Sequence, residues 1–123
     1  MKIRVYYEDT DAGGIVYHTN YIKYCERARS ELFFANGMMP AESSDSGFVV
    51  RDIKASFLAT ASLGDMVDVT TTLLSMRASS IVLNQSIYRG DIKLFDMEIL
   101  LVYVRRGKAV RVPAVYRDFF EAI

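Results

Sequence analysis

The sequence predicts an α+β fold in which one long helix lies on one antiparallel sheet. Two observations predict it. Apolar residues recur at helical spacing over a long stretch only once, where Tyr21, Cys25, Ala28, Leu32 and Ala35 share a face that Ile22 and Phe33 widen. From Phe48 onward the pattern turns to period two, broken by the turns Leu63-Gly64-Asp65, Gly90-Asp91 and Gly107-Lys108.

The first element, "IRVYY" at residues 3–7, is short, β-branched and aromatic and reads as a strand. A polar loop with Gly13-Gly14 as its breaker follows. Thr19 or Asn20 is a fitting N-cap for the long helix, and Asn36-Gly37 a fitting stop. "MMPAESSDSG" is a polar loop. Ile53, Ala55 and Phe57 then alternate with Asp52, Lys54 and Ser56. Val67, Val69, Thr71 and Leu73 continue the alternation in a second strand, and Ile81–Tyr88 forms a third. Gly90-Asp91 makes a tight hairpin into Ile92–Val104. A short strand at Ala109–Val112 and a terminal helix with Pro113 at its first position complete the chain. "ILLVYV", Ile99–Val104, has no polar alternation, so both of its faces require cover. A second copy supplies that cover most cheaply. The expectation is a homo-oligomer, a dimer at least, with a tetramer as the fuller form.

At 123 residues the chain suits one domain, residues 1–123. Fifteen basic residues balance 15 acidic ones, which argues against a general affinity for nucleic acid or an anionic membrane surface. One cysteine, Cys25, rules out an internal disulfide and a Cys-based zinc site, and fits a reducing, cytoplasmic setting. The N-terminus has no apolar core of a secretory signal, and no apolar run approaches the length of a membrane span.

Against this apolar background, "YEDTDAGGIVYHTNY" packs Glu8, Asp9, Asp11, Gly13, Gly14 and the only histidine, His18, into one stretch. The longer segment "DTDAGGIVYHTNYIKYCERAR", Asp9–Arg29, resembles the signature of the acyl-CoA thioesterases of the 4-hydroxybenzoyl-CoA thioesterase type. The likeness is closest to the branch associated with the Tol–Pal system of bacterial cell envelopes. The resemblance implies the hotdog fold, a long helix wrapped by an antiparallel sheet. It implies hydrolysis of acyl groups carried by coenzyme A, with no metal and no cofactor beyond the substrate's own coenzyme A. It places the catalytic carboxylate on Asp11 and a backbone oxyanion donor at or near His18, and it implies an active site at a subunit interface.

The chemistry suits these residue types. Thioester hydrolysis needs a nucleophile and a place for the developing oxyanion; the thiolate leaves readily. A carboxylate such as Asp11 can attack the carbonyl or take a proton from water. The first turn of a helix offers unpartnered amides and a partial positive charge. Losing one such donor costs roughly 3–4 kcal/mol in other enzymes. Gly13 and Gly14 let the backbone approach the substrate closely. For His18 several roles are open: orienting water, polarising the carbonyl, bonding Asp11, or satisfying a backbone group at the helix start. Asp9 fits a loop restraint better than a catalyst, and Glu8 a solvated charge.

Tyr7 and Tyr17 are candidates to line the acyl pocket, whereas Tyr21 and Tyr24 suit packing. Cys25 reads as a small buried hydrophobe, and Glu26 with Arg29 as a helix surface pair. Arg77, Arg89, Arg105, Arg106 and Lys108 lie near strand ends and turns, where they are candidates for the phosphates of coenzyme A or plain solvated charges. Two rival functions remain on the same fold: a hydratase of enoyl thioesters, and a non-enzymatic acyl-thioester or partner-binding module.

Overall fold

A computed structural model describes residues 1–123. The elements run β1 (Lys2–Arg4), a short 3-10 helix (Tyr7–Asp9), α1 (His18–Ala35), β2 (Ser46–Phe57), β3 (Met66–Met76), β4 (Ser80–Arg89), β5 (Ile92–Arg105), β6 (Lys108–Ala109) and α2 (Ala114–Ala122). The sheet is antiparallel in the order β1-β3-β4-β5-β2, with β6 added to the end of β5. This is the α+β arrangement that the sequence predicts. No helix is long and apolar enough to cross a membrane.

Helix α1 buries Tyr21, Tyr24, Cys25, Ala28 and Phe33 against the sheet. The stripe differs from the expected one at its end: Ala35 is exposed and Phe33 takes the buried place. The helix stops as Asn36-Gly37 predicts. Gly37 adopts φ 67°, its amide donates to Phe34 O, and the Met38 amide reaches back to Phe33 O. That pair of bonds is a Schellman closure, which needs a residue free of Cβ strain at this point.

On the inner face of the sheet, Phe95, Met97, Ile99, Leu101 and Tyr103 of β5 alternate beneath the helices, together with Ile81, Leu83 and Ile87 of β4. Gln85 is the polar exception. It is fully buried and fully engaged: its amide nitrogen donates to Cys25 O at 2.9 Å and Thr71 Oγ1 at 3.0 Å, and its oxygen accepts from Arg29 Nη1 at 2.8 Å. A buried amide is tolerated only with such partners. At the other end of α1, Phe33 packs on Phe48, Tyr116, Phe119 and Phe120, with ring centroids 4.8–6.4 Å away. This cluster docks α2. Phe33→Ala should therefore lower stability by about 3–5 kcal/mol, read from urea unfolding.

Four local expectations are corrected. The first strand ends at Arg4, and Tyr7 turns into the 3-10 helix because the Asp9 carboxylate accepts the Tyr6 amide at 2.9 Å. The last strand is only Lys108–Ala109, and the turn before it is Arg106-Gly107, with φ 52° at Arg106. Pro113 caps α2 from one residue outside it. Finally, the uncovered apolar surface lies on β2 rather than on β5. Within "ILLVYV" only Leu100 and Val104 are half-exposed; Ile99, Leu101 and Tyr103 face the core beneath the helices, and β5 is an interior strand between β4 and β2. Strand β2 is the sheet edge, and Val49, Val50, Ile53 and Phe57 on it are 36–50% exposed.

Candidate active site

The signature loop is held shut at its base. The Asp11 amide donates to Ile15 O at 2.9 Å and the Gly14 amide to Asp11 O at 3.0 Å, with Gly14 at φ 79° closing the turn. Inside this turn the Gly13 amide donates to Asp11 Oδ1 at 2.8 Å. A Cβ on Gly13 would stand 3.3 Å from that oxygen, so the glycine keeps room for the carboxylate itself. Asp11 Oδ2 has no hydrogen-bond partner in the chain. One oxygen is tied down, and the other is free to react.

The start of α1 is open in the same way. Its N-cap is Tyr17, at φ −64° and ψ 131°, and no side chain caps the first turn. Neither Thr19 nor Asn20 takes the expected capping place. Asn20 lies inside the helix and spends its side-chain amide on Asp9 O at 2.8 Å, an oxygen that also accepts the Tyr17 amide at 2.9 Å. Asp9 thus restrains the loop through its carboxylate, as its sequence reading anticipates, and also anchors the helix start through its carbonyl, which that reading does not include. The Asn20 amide donates to Tyr17 O at 2.8 Å, leaving those of His18 and Thr19 without partners in the chain. A side-chain cap would have quenched them.

Asp11 and His18 border one cavity of about 360 Å³. Tyr17 joins them on the near side, Tyr21 forms the floor, and Phe57, Leu58 and Thr60 form the far wall. The His18 ring sits between Tyr17, at 4.7 Å, and the edge of Phe57, at 5.9 Å. Its imidazole makes no hydrogen bond to Asp11 or to any other group of the chain. Tyr21 packs as expected and does more: its hydroxyl accepts the Ala61 amide at 2.9 Å, fixing the segment that carries Thr60, and burial raises its pKa. Tyr24 is buried, and its hydroxyl has no hydrogen-bond partner. Burial first, and then the nearby Asp9 carboxylate, push its pKa up.

Of the remaining candidates, Gly13 and Gly14 shape the turn behind Asp11 and do not border the cavity. Tyr7 is 81% exposed and does not border it either. Arg89 lies against the far wall, donating to Thr60 O at 2.8 Å and pairing with Asp65 at 3.2 Å. Arg105 pairs with Glu42 and Arg106 with Asp45, each at 3.1 Å. Lys108 lies in β6, and Arg77 borders a different cavity on the sheet. A single chain does not bring these five cations together. The far wall of the cleft escaped sequence reading: Phe57-Leu58 sits at the end of an alternating strand and looks like core there. Its only signal is an apolar pair followed at once by small residues.

Two helix residues differ from expectation or sharpen it. Arg29 turns inward to Gln85 instead of pairing with Glu26, and burial pulls its pKa down. Cys25 is fully buried, and burial pushes its thiol up to about 12. The native protein should therefore resist iodoacetamide at pH 8, and label once per chain only after denaturation; native labelling at a free-thiol rate would contradict the burial.

The profile of the Thioesterase superfamily matches residues 13–95, beginning just after Asp11. An acyl-CoA thioesterase YbgC of Helicobacter pylori is 41% identical, over the whole of both chains. The 4-hydroxybenzoyl-CoA thioesterase of a Pseudomonas species is 29% identical over 98% of this chain and 94% of its own. Among solved structures, a probable thioesterase from Bartonella henselae superposes with a TM-score of 0.85 at 28% identity, covering 92% of this chain and 97% of its own. The chain belongs to the thioesterase superfamily.

Proposed function

We propose that the protein hydrolyses the thioester of an acyl-CoA to the free acid and coenzyme A. One observation carries the reading: a carboxylate oxygen without a partner and an unpartnered amide at a helix start belong to residues of the same cavity. The carbonyl oxygen of the substrate rests on the amide of His18, with that of Thr19 beside it. Negative charge growing there meets donors already aimed and a positive helix end, so no reorganisation is needed. Asp11 Oδ2 then either attacks the carbonyl carbon, forming a mixed anhydride that water afterwards cleaves to the free acid, or takes a proton from a water that attacks it. In both courses the C–S bond breaks and the thiolate of coenzyme A departs. Tyr17, Phe57 and Leu58 offer an apolar bed for the acyl group. The superfamily match and the acyl-CoA thioesterases among the relatives favour hydrolysis over hydration or binding alone. Incubation with saturated acyl-CoA of graded chain length tests this. Thiol release is the expected result, and tight binding without release would leave only a binding module. An acyl-CoA substrate and a single reduced thiol fit a cytoplasmic enzyme.

The working unit we propose is a dimer built on β2. This edge strand is long, has one unpaired side and shows exposed Val49 and Ile53, an arrangement that invites pairing with a second chain. The cleft opens toward the end of the same strand, where Phe57 is 50% and Leu58 57% exposed, so a second copy would complete its wall. Light scattering should give the mass of a dimer or of a tetramer of two such dimers. Replacing Val49 and Ile53 by Lys should yield monomers without thioesterase activity, and active monomers would refute a shared cleft.

A further inference from the structure

The outer face of the sheet carries a feature unrelated to the packing of the helices. Strand β2 has a bulge at Arg51, between Val50 and Asp52. Strand β3 has one at Leu74, between Leu73 and Ser75. The register puts them at the same level: Asp52 pairs with Leu100, Leu100 with Val82, and Val82 with Ser75. Each bulge bends its strand and re-aims the extra residue. Two at one level hollow the sheet between them, and a cavity of about 330 Å³ lies there, with Val82 and Leu100 as its floor.

The rim of this hollow is cationic. Arg51 and Arg77 border it, together with Ser75 and Ser80. Neither guanidinium makes an ion pair or a side-chain hydrogen bond, and neither hydroxyl has a partner in the chain. No acid borders the hollow, and Asp52, next in sequence to Arg51, does not pair with it. A third guanidinium, that of Arg117, stands behind, donating to Arg77 O at 2.9 Å and Ala78 O at 3.4 Å. Two planar forks and two hydroxyls over an apolar floor match a phosphate ester, with oxygens for the donors and an organic part for the floor.

We infer that the hollow binds a phosphate ester through Arg51 and Arg77. It is separate from the cleft of its own chain: it lies on the other face, and Arg51 and Phe57 are on the order of 20 Å apart along β2. The phosphate has two possible sources. One is the coenzyme A portion of the substrate, which rests on the thioesterase reading above. The other is a free phosphate-bearing metabolite, which does not.

The test is titration calorimetry of adenosine 3′,5′-bisphosphate and of inorganic phosphate against the full-length protein and its Arg51→Gln/Arg77→Gln variant. It is paired with KM for acyl-CoA and for acyl-pantetheine, which has no phosphate. The bisphosphate should bind the wild type at least tenfold more tightly than the variant. A matching rise in KM for acyl-CoA alone assigns the phosphate to the substrate. Unchanged KM values with the binding difference intact assign it to a separate ligand. Equal binding by the two proteins, no binding to the wild type, or a rise in KM for acyl-pantetheine as well would overturn the site. The binding arm stands even if the wild type releases no thiol, so failure of the hydrolase reading is read separately.

Discussion

Asp11→Asn should lower thiol release from acyl-CoA by about 10²–10⁴-fold, the usual range for losing a positioned acid–base group. The substitution is chosen for what it preserves. An Asn oxygen can still accept the Gly13 amide that now bonds Asp11 Oδ1 at 2.8 Å, so the turn should keep its shape. The oligomer and the unfolding midpoint should match the wild type. What disappears is the charge on the second oxygen, which alone can attack a carbonyl or take a proton from water. KM should move much less than kcat, because the apolar wall and the helix amides remain. Turnover like that of the wild type in a folded Asp11→Asn protein would remove Asp11 from the chemistry.

The second large effect comes from a main-chain atom. His18 is the first residue of α1, a position where proline is well accepted because its missing N–H is not needed for the helix. The preceding residue, Tyr17, already has the extended ψ of 131° that a following proline requires. His18→Pro should therefore keep the helix while deleting the amide, and His18→Ala deletes only the imidazole. The imidazole makes no hydrogen bond in the chain, so His18→Ala should cost little. His18→Pro should cost a further 10²–10³-fold or so in kcat, as loss of an oxyanion donor does elsewhere. If both variants fall equally, the ring matters and the amide does not.

These contrasts follow how the sequence could and could not be read. Local rules carried the helix, its Schellman stop at Asn36-Gly37 and the Gly90-Asp91 hairpin, because each depends on residues near one another in the chain. Asp11 and His18 rest instead on the likeness to the thioesterase signature; what the structure adds is that both border one cavity. The N-cap differs from expectation for an informative reason. Thr19 and Asn20 have capping side chains, but Asp9 draws Asn20 into its own network and shifts the helix start to His18, leaving the amides open. Arg29 looked like a surface charge because its partner, Gln85, lies far along the chain. The Phe57–Thr60 wall and the Arg51 bulge were illegible for the same reason. Both are set by strand register and by which strand lies at the edge, and short-range periodicity does not encode either. The exposed apolar residues of β2 show the converse: an alternating pattern shows that a strand seeks cover, not which molecule provides it.

The most direct test of the central claim is a crystal structure with an acyl-CoA analogue whose sulfur is replaced by methylene, which binds but cannot be hydrolysed. The account predicts the carbonyl oxygen about 3 Å from the amide of His18 or Thr19, with Asp11 Oδ2 facing the carbonyl carbon. A carbonyl lodged elsewhere, such as the cavity bordered by Arg29, Phe33 and Phe120 at the far end of α1, would contradict it.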